Sequence, residues 1–559
     1  MKKKQLATLL GMILIASNNP FAAGSADTII INAVVYADKS AEAIAISNGV
    51  ITYVGDNRTA ETYQISTTDV IDMEGAMVLP GFVDNHNHVF EAASQAGGNC
   101  ELNMDATLTE QVPYLKRCRK QAKANEWLIG YGFSLDKTLS DDNDQTPLEV
   151  LDEIFPDQPV VLMEQTSHSM WVNSQALMQV GISKTSSEPK GGKILKHLVT
   201  GELNGILLDN AGDIVMEIAW NSLKNKFKES YDGLMNGLEE AAAHGITTIG
   251  DGRLYWKRGW YEVWKEAESN GDLTARVSLR PWIYPQDSRG PQLAYLKTIQ
   301  SRDQNAKLIV DQVKMYSDGI IINATAKTLD PYLLTYIEDE PYGINYIPPA
   351  EMKDWLLALD KIGYGAHIHA IGDGAIRESL NAVEHARQQN SDRDYTLTHV
   401  EMVHPKDIVR FKPLGVTADF QVGSDYISYH DHRWAEPFLG TKRVRSLMQI
   451  NRVFASGANV SLSSDWNVHD INPLVGIANC LIMGHTGLPT IETAINAYTI
   501  NAAISLGLDD VTGSIEIGKS ADFVVLGKDI TQLAPAEIEN TDILMTILQG
   551  EIVFDAEEE

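Results

Sequence analysis

The chain has 559 residues, 44% of them hydrophobic and 21% charged, and its formal net charge is −30. This composition excludes a wholly disordered, collagen-like or coiled-coil chain, because the chain can bury a large core and shows no such repeat. The negative charge argues against a general nucleic-acid or anionic-membrane binder, since phosphates repel such a surface. By length we expect about three to four domain-sized units, or one large barrel with additions.

The first residues have the pattern of an export signal. Residues 2–4 are lysines, residues 6–16 are apolar, and small residues occur at positions 22–24 and 26. The apolar run is too short to span a bilayer, so we predict a cleaved signal peptide over residues 1–23, with a retained membrane anchor as the alternative. We therefore expect a bacterial periplasmic or secreted protein that has no membrane partner after cleavage.

Both ends of the remaining chain carry short strand and turn patterns. They cover residues 27–78, with Asn48-Gly49 as one turn, and residues from about 510 to 559, with strands predicted at 513–516, 523–526 and 544–554. The matching patterns predict one β-sandwich domain, with residues 27–78 as its first part and residues 510–559 as its second.

The middle of the chain, residues 79–509, alternates strands and helices. Apolar strands are predicted at 77–84, 245–251, 277–283, 313–317, 365–371, 397–401, 416–421 and 460–464. Eight strands alternating with helices are typical of an α/β fold of the (β/α)8 TIM-barrel type. The gap between the first two strands is too long for one crossover, which predicts an inserted subdomain at about residues 95–230.

Three cysteines are present, at Cys100, Cys118 and Cys480. An odd and sparse set does not indicate a disulfide framework. Cys100 and Cys118 could pair in an oxidising compartment, and three unpaired thiols are the alternative.

Two histidines end the first predicted barrel strand. His86 and His88 are two residues apart, so on a strand both rings point to the same face. They lie at the carboxyl end of the strand, where barrel active sites are built, and two such imidazoles are half of a zinc site. The pair alone is a weak signal, because histidine pairs also occur as plain surface or core residues.

Further ligand types follow other predicted strands. Lys314, His369, His399 and Asp465 end the fourth, fifth, sixth and eighth strands. Each alone has a structural explanation, such as a partly buried lysine, a hydrogen-bonded core histidine or a helix cap. Their joint occurrence at the same end of one barrel predicts a metal-dependent active site.

Longer motifs surround these residues: LPGFVDNHNH (79–88), GITTIGDG (245–252), VKMYSDG (313–319), HIHAIGDGA (367–375), THVE (398–401) and SSDWNVHDINPL (463–474). With them the chain resembles the amidohydrolase superfamily, specifically its YtcJ-like, amidohydrolase-3 branch, from about residue 28 to the C-terminus. The resemblance implies metal ligands at His86, His88, Lys314, His369, His399 and Asp465. In related enzymes the lysine can be carboxylated and bridge two ions.

The chain departs from the pattern of this branch at three places. Thr396-Leu397-Thr398 precedes His399 where an Arg-x-Glu sequence is usual, and Thr166-Ser167 precedes His168 where Asp-Gly is usual. Ile320-Ile321-Ile322 replaces a frequent Ser-Arg. These changes leave the implied ligand set intact and bear on substrate preference.

The chemistry of the implied site follows from its residue types. A divalent metal, with Zn²⁺ expected, lowers the pKa of a coordinated water to about 7. Asp465 can accept that proton and return it to a leaving amine. Lys314 can ligate only as a neutral amine, which burial favours, and the number of ions, one or two, stays open. Candidate substrate-binding residues are His168, Trp171 and Asp318.

The sequence therefore predicts an exported metal-dependent hydrolase that cleaves a carbon–nitrogen bond in an amide, formamide or cyclic amide. We expect the protein to bind a small-molecule substrate and not to bind nucleic acid. Formation of a homo-oligomer is an open alternative. Ester hydrolysis or deamination at the same site is one alternative. Another is a non-catalytic regulator of exoenzyme production, since a relative in this branch carries that name.

Overall fold

The computed structural model describes residues 24–557, apart from 37–39, 94–99, 124–125, 141–144, 198–199, 425–426 and 428–430. The predicted signal peptide, residues 1–23, lies outside the described residues. Among the helices that are described, none is both long and apolar enough to cross a membrane.

Eight parallel strands form a closed barrel. We number them barrel strands 1 to 8 in chain order: Phe82–Asn87, Ile246–Asp251, Arg276–Ser278, Gln312–Tyr316, Gly365–Ala370, Tyr395–His399, Val416–Gln421 and Val460–Ser463. Strand 3 pairs with a short parallel strand at Leu308–Ile309. The chain that follows strand 3 pairs with strand 4 through a parallel bridge between Trp282 and Lys314. The ring closes between strands 8 and 1, where the Asp465 N–H donates to the His86 carbonyl at 2.7 Å.

Helices cover the outside of the barrel, so its strands are buried on both faces. The larger ones are Lys226–Ala243, Trp260–Asn270, Arg289–Ile299, Pro349–Asp360, Asp373–Gln388, Ile450–Ala455, Pro473–Ile482, Ile491–Ala497 and Ile500–Ser505. Shorter helices lie at Val89–Ala93, Trp256–Arg258, Pro405–Ile408, Phe411–Leu414, Arg433–Ala435, Glu436–Leu439 and Thr441–Val444. The helix Asp373–Gln388 shows the usual pattern, since it buries Ile376, Leu380 and Val383 at spacings of three and four residues.

A second sheet lies between barrel strands 1 and 2 in sequence. Its six strands run, in spatial order, Gly192–Lys196, Leu203–Asp209, Ser169–Val172, Val160–Glu164, Leu128–Phe133 and Cys100–Glu101. Helices accompany it at Leu108–Gln121, Leu135–Leu139, Pro147–Ile154, Ser174–Val180 and Asn210–Ser222. This inserted sheet has a hydrophobic cluster of its own, which includes Leu115, Val150 and Trp171.

A disulfide bond joins Cys100 to Cys118 and so ties the strand Cys100–Glu101 to the helix Leu108–Gln121. Of the two alternatives left open by the sequence, the structure contains the paired one. Cys480 remains a free, buried thiol.

Two further sheets contain the ends of the chain. One is made of Thr28–Ile31, Ala43–Ser47, Val50–Gly55 and Asp69–Asp72, and the other of Val34–Val35, Met77–Pro80, Phe523–Leu526, Ile543–Leu548 and Glu551–Asp555. Short helices lie at Asn57–Ala60, Glu61–Tyr63, Ile530–Gln532 and Pro535–Ile538. Ile44 of the first sheet and Val78 and Phe523 of the second share one hydrophobic cluster.

Several predicted strands differ from the observed ones, and barrel strand 3, at Arg276–Ser278, is shorter than the predicted 277–283. The strand predicted at 77–84 is two strands, one in an end sheet and one in the barrel, separated by Gly81. A Cβ atom at Gly81 would lie 2.2 Å from the Thr247 Oγ1, so only glycine fits where the chain changes sheets. Residues 513–516 form no strand, and Gly513 has a φ of 86°. The strand predicted at 544–554 is a hairpin that turns at Gly550.

Candidate metal centre and active site

The two histidines of barrel strand 1 are buried together at the mouth of the barrel. His86 is fully buried, His88 is 6% exposed, and their ring centroids lie 4.9 Å apart. The two-residue spacing on an extended strand places both rings on one face, as the sequence predicted.

Asp465 follows barrel strand 8 and its carboxylate lies between these rings. Its Oδ1 is 3.2 Å from Nε2 of His86 and 3.0 Å from Nε2 of His88, and its Oδ2 is 3.9 Å from Nδ1 of His399. Burial raises the pKa of Asp465, but the interactions with His86, His88 and His399 outweigh burial and hold this pKa well below its usual range. The carboxylate is therefore ionised, as a metal ligand or a proton acceptor must be.

Lys314 of barrel strand 4 approaches the same cluster from below. Its Nζ lies 3.3 Å and 3.2 Å from Nδ1 and Nε2 of His86. Burial lowers the pKa of Lys314 far below its usual range. Burial thus favours the neutral amine, which is the form that can ligate a metal or become carboxylated.

His369 and His399 complete the cluster from barrel strands 5 and 6, with ring centroids 4.4 Å apart. The Nε2 of His369 lies 3.0 Å from the carbonyl oxygen of Gly319. Its Nδ1 is buried without a hydrogen-bond partner in the part of the chain that is described, and an unpaired buried polar atom costs free energy that a ligand would recover. Burial lowers the pKa of His399 to about 3, so this ring is neutral, as a metal ligand must be.

These residues fit a divalent metal ion. The ligand atoms of His86, His399 and Asp465 all lie within 4.8 Å of one another. Imidazoles with a carboxylate form a donor set that suits Zn²⁺, and the His369 ring lies next to His399.

A second group of His86, His367 and Asp419 is equally close but suits a metal less well. Both Asp419 oxygens already accept hydrogen bonds, from Asn85, Thr398, Gln421, Ser461 and Ser463. We assign Asp419 to a polar network that holds the strands beneath the metal centre. The sequence analysis missed His367, although it shares the two-residue spacing of His86 and His88 with His369.

Glu91 and Arg253 hold His88 from behind. The Glu91 Oε2 lies 3.4 Å from Nδ1 of His88, and its Oε1 accepts from Nη2 of Arg253 at 2.9 Å. Burial raises the pKa of Glu91, but the Arg253 charge and the His88 hydrogen bond outweigh it and lower the pKa to about 2. Such a carboxylate orients a ligating imidazole. No local pattern marks this pair in the sequence, since its members are 162 residues apart.

A cavity of about 890 Å³ opens above the cluster, with Asp465, His369 and His399 at its base. The barrel supplies apolar walls, including Ile320 and Met448, and the inserted sheet and its loops supply Leu102, Met104 and Tyr131. Arg117 is the only lysine or arginine among the described residues that line it, and the acidic Glu101 and Asp105 also line it.

Only one of the three predicted substrate-binding residues lines this cavity. His168 does, and its Nδ1 lies 2.7 Å from the Oδ1 of Asp209. Trp171 is instead buried in the core of the inserted sheet, where its indole N–H donates to the Pro147 carbonyl. Asp318 is buried beneath the cavity and accepts backbone N–H groups of Lys327, Ile371 and Gly372. Trp171 and Asp318 therefore contact other parts of the protein and do not line the cavity, in contrast to the prediction.

The sequence profile described as the Amidohydrolase family matches residues 69–554. The chain belongs to the amidohydrolase family. This confirms the resemblance drawn from the motifs, and the protein is accordingly an enzyme that hydrolyses carbon–nitrogen bonds.

Two relatives of this amidohydrolase match over almost their whole length. It is 26% identical over 543 residues to YtcJ of Bacillus subtilis, which covers 92% of this chain and 96% of the relative. It is 26% identical over 551 residues to the N-substituted formamide deformylase of Arthrobacter pascens, covering 95% and 98%. A solved structure of an uncharacterized metal-dependent hydrolase from Pyrococcus horikoshii has a TM-score of 0.70 and 20% identity, covering 91% and 99%. The structural likeness supports an α/β amidohydrolase fold.

Proposed function

We propose that this amidohydrolase is an exported, metal-dependent enzyme that hydrolyses the carbon–nitrogen bond of an amide, formamide or cyclic amide. The observation that carries the proposal is the ionised Asp465 carboxylate, which lies within 3.2 Å of two imidazoles at the base of a cavity. We expect Zn²⁺, as one or two ions, held by His86, His88, Lys314, His369, His399 and Asp465.

Asp465 is the residue that moves the proton in this proposal. A bound metal ion would supply Lewis acidity and a water that is acidic near neutral pH. Asp465 accepts the proton of the attacking water and then donates it to the leaving nitrogen, so that the amine departs uncharged. Glu91 holds the His88 ring in place throughout.

The cavity favours a neutral substrate with an apolar substituent. Ile320, Ile321 and Ile322 line it, where the branch often has a serine and an arginine. Because Glu101 and Asp105 accompany Arg117 along its lining, the cavity offers no net positive charge to an anionic substrate. The name of the Arthrobacter relative, an N-substituted formamide deformylase, agrees with this class.

Export and domain organisation are parts of the same proposal. The Cys100–Cys118 disulfide supports an oxidising compartment such as the periplasm, because such bonds are rare in the cytosol. We propose that the barrel carries the chemistry, while the sheets of residues 27–78 and 510–559 form a separate sandwich domain.

A substrate panel tests the function. Purified mature protein loaded with Zn²⁺ is assayed with N-substituted formamides, N-acyl amino acids and cyclic amides, with matched esters and amino-substituted heterocycles beside them. We expect the highest kcat/KM for a neutral amide with an apolar substituent. Faster ester hydrolysis or ammonia release would support the alternative reactions. A metal-loaded protein that turns over no member of the panel would support the regulatory alternative.

A further inference from the structure

Glu401 is an acidic side chain in the cavity lining that the proposed proton transfer does not use. It follows the end of barrel strand 6 by two residues and lines the cavity together with Met448 and Trp434. Among the described residues, none forms a hydrogen bond or an ion pair with its carboxyl group. The carboxyl groups of Glu91 and Asp419, by contrast, are held by protein donors. The Glu401 carboxyl is therefore available to a ligand.

The backbone around Glu401 is fixed on both sides. The Glu401 carbonyl accepts the Met448 N–H at 2.9 Å, and the Val400 N–H donates to the Ala370 carbonyl at 3.2 Å. His399 and Val400, which precede Glu401, have φ angles of 75° and 47°. A valine rarely adopts such a conformation, which persists only where the surrounding structure imposes it. The protein thus holds Glu401 at a defined place in the cavity lining.

This place lies beside the metal centre. Two residues span at most about 7 Å, so the Cα of Glu401 lies no further than that from the Cα of His399. The Nδ1 of His399 in turn lies 3.9 Å from the Oδ2 of Asp465, the proposed proton donor to the leaving nitrogen. All three residues line the same cavity. The leaving nitrogen of a bound amide therefore comes to the part of the cavity that Glu401 lines.

A substrate that fills the cavity takes water away from Glu401, whose neighbours in the lining include the apolar Ile427 and Met448. A covered carboxyl group without a donor costs free energy, so such a site discriminates against a substrate that lacks the donor. A secondary amide brings an N–H group to this place, and a tertiary amide brings none. A carboxyl oxygen accepts that hydrogen in the ionised and in the protonated form.

We propose that Glu401 is a specificity-determining residue that accepts a hydrogen bond from the N–H of the scissile amide, so that the enzyme hydrolyses secondary amides in preference to tertiary ones. While the N–H points at Glu401, the nitrogen lone pair remains free to take the proton from Asp465. Glu401 itself transfers no proton. The inference rests on the proposed amide hydrolysis and names the class of amide.

Kinetics with a matched pair of substrates test the inference: the best secondary amide of the panel and its N-methyl derivative. We expect the wild-type kcat/KM to be about 10–100-fold higher for the secondary amide. Glu401→Gln keeps the size and an acceptor oxygen, so it should retain most of this ratio. Glu401→Met keeps a similar length without such an oxygen, so it should lose most of the ratio. Glu266→Ala, exposed on an outer barrel helix, is the control and should retain it.

Two results would overturn the inference and leave the proposed amide hydrolysis standing. If Glu401→Met kept the wild-type ratio, the preference would be steric, since the added methyl group is the same in every variant. Equal wild-type kcat/KM values for the two amides would show that no such preference exists. A metal-loaded wild type that hydrolyses no amide would contradict the proposed function instead.

Folding and metal content are checked on the same preparations, by circular dichroism and by metal analysis. If Glu401→Met does not fold, Glu401→Leu takes its place, because leucine also lacks an acceptor oxygen. We expect the same loss of the ratio in Glu401→Leu, and a retained ratio would overturn the inference.

Discussion

Asp465 and Lys314 both contact His86, yet the two side chains differ in what they can do. The Asp465 carboxylate is ionised and can take up a proton, whereas burial favours the neutral form of the Lys314 amine, which can ligate a metal or carry a carboxylate group. Substitutions of the two residues should therefore impair the enzyme in different ways.

Asp465→Asn should lose most turnover, by about 10²–10⁴, because an amide cannot take a proton from water. It should keep much of its metal, since the carboxamide oxygen can still coordinate. Lys314→Ala should lower metal content first and activity as a consequence. Metal stoichiometry and rate, measured on the same preparations, separate these outcomes. A Lys314→Ala protein with full metal content and full rate would reduce Lys314 to an ordinary strand residue.

Substitution of Glu91 should have a smaller effect than substitution of Asp465 or Lys314. Glu91→Gln keeps the shape but weakens the hold on His88 and leaves Arg253 without its anionic partner. We expect metal affinity to fall by about 10–100-fold. Competition with a chelator of known affinity measures the change, and Glu239→Gln, on an outer barrel helix, is the matched control. Equal affinities of the two variants would show that Glu91 does not support the ligand.

The residues that meet in the cluster could be predicted from the sequence, and the residues that pair with them could not. His86 and His88 share a strand, and their spacing alone places both rings on one face. Asp209 pairs with His168, 41 positions away, and Glu91 pairs with Arg253, 162 positions away. No local sequence pattern indicates contacts over such separations. Trp171 was assigned to the substrate from its motif, but it faces the core of its own sheet.

At the scale of elements, the disulfide bears directly on the cavity. It joins the strand Cys100–Glu101 to the helix Leu108–Gln121, and the loop between them contributes Leu102 and Met104 to the cavity lining. The same helix contributes Arg117. The cross-link therefore fixes one wall of the cavity, while the metal ligands lie on separate barrel strands.

Loss of the disulfide should consequently change binding more than chemistry. In the double variant Cys100→Ser/Cys118→Ser we expect KM to rise roughly 2- to 10-fold, since about 0.5–1.5 kcal/mol is needed to order each freed side chain on binding. The kcat should change little, and the Tm should fall. Cys480→Ala, which keeps the disulfide, is the control. An unchanged KM would show that the wall is rigid without the cross-link.

Strand prediction succeeded where burial makes the sequence pattern simple. Strands of the parallel barrel are covered on both faces, so they appear as apolar runs, and 245–251, 365–371 and 416–421 matched closely. The prediction of one strand at 77–84 was wrong because two buried strands of different sheets follow each other with only Gly81 between them. Periodicity cannot detect a change of sheet within one apolar run.

Export is a prediction about the whole molecule, and the predicted signal peptide, residues 1–23, lies outside the described residues. If the first 23 residues are a signal peptide, the mature chain should start between about residues 23 and 27. Amino-terminal sequencing of protein from the periplasm measures this. A sequence beginning at Met1 would contradict cleavage and favour a retained anchor.

In this proposal, hydrolysis depends on metal held by the histidine cluster. The most direct measurement is a titration of chelator-treated enzyme with Zn²⁺, in which bound metal and amide hydrolysis are followed together. We expect no activity in the metal-free protein and a rate that rises in proportion to occupancy until one or two ions are bound per chain. Full amide hydrolysis by the metal-free protein would show that the reaction does not depend on bound metal.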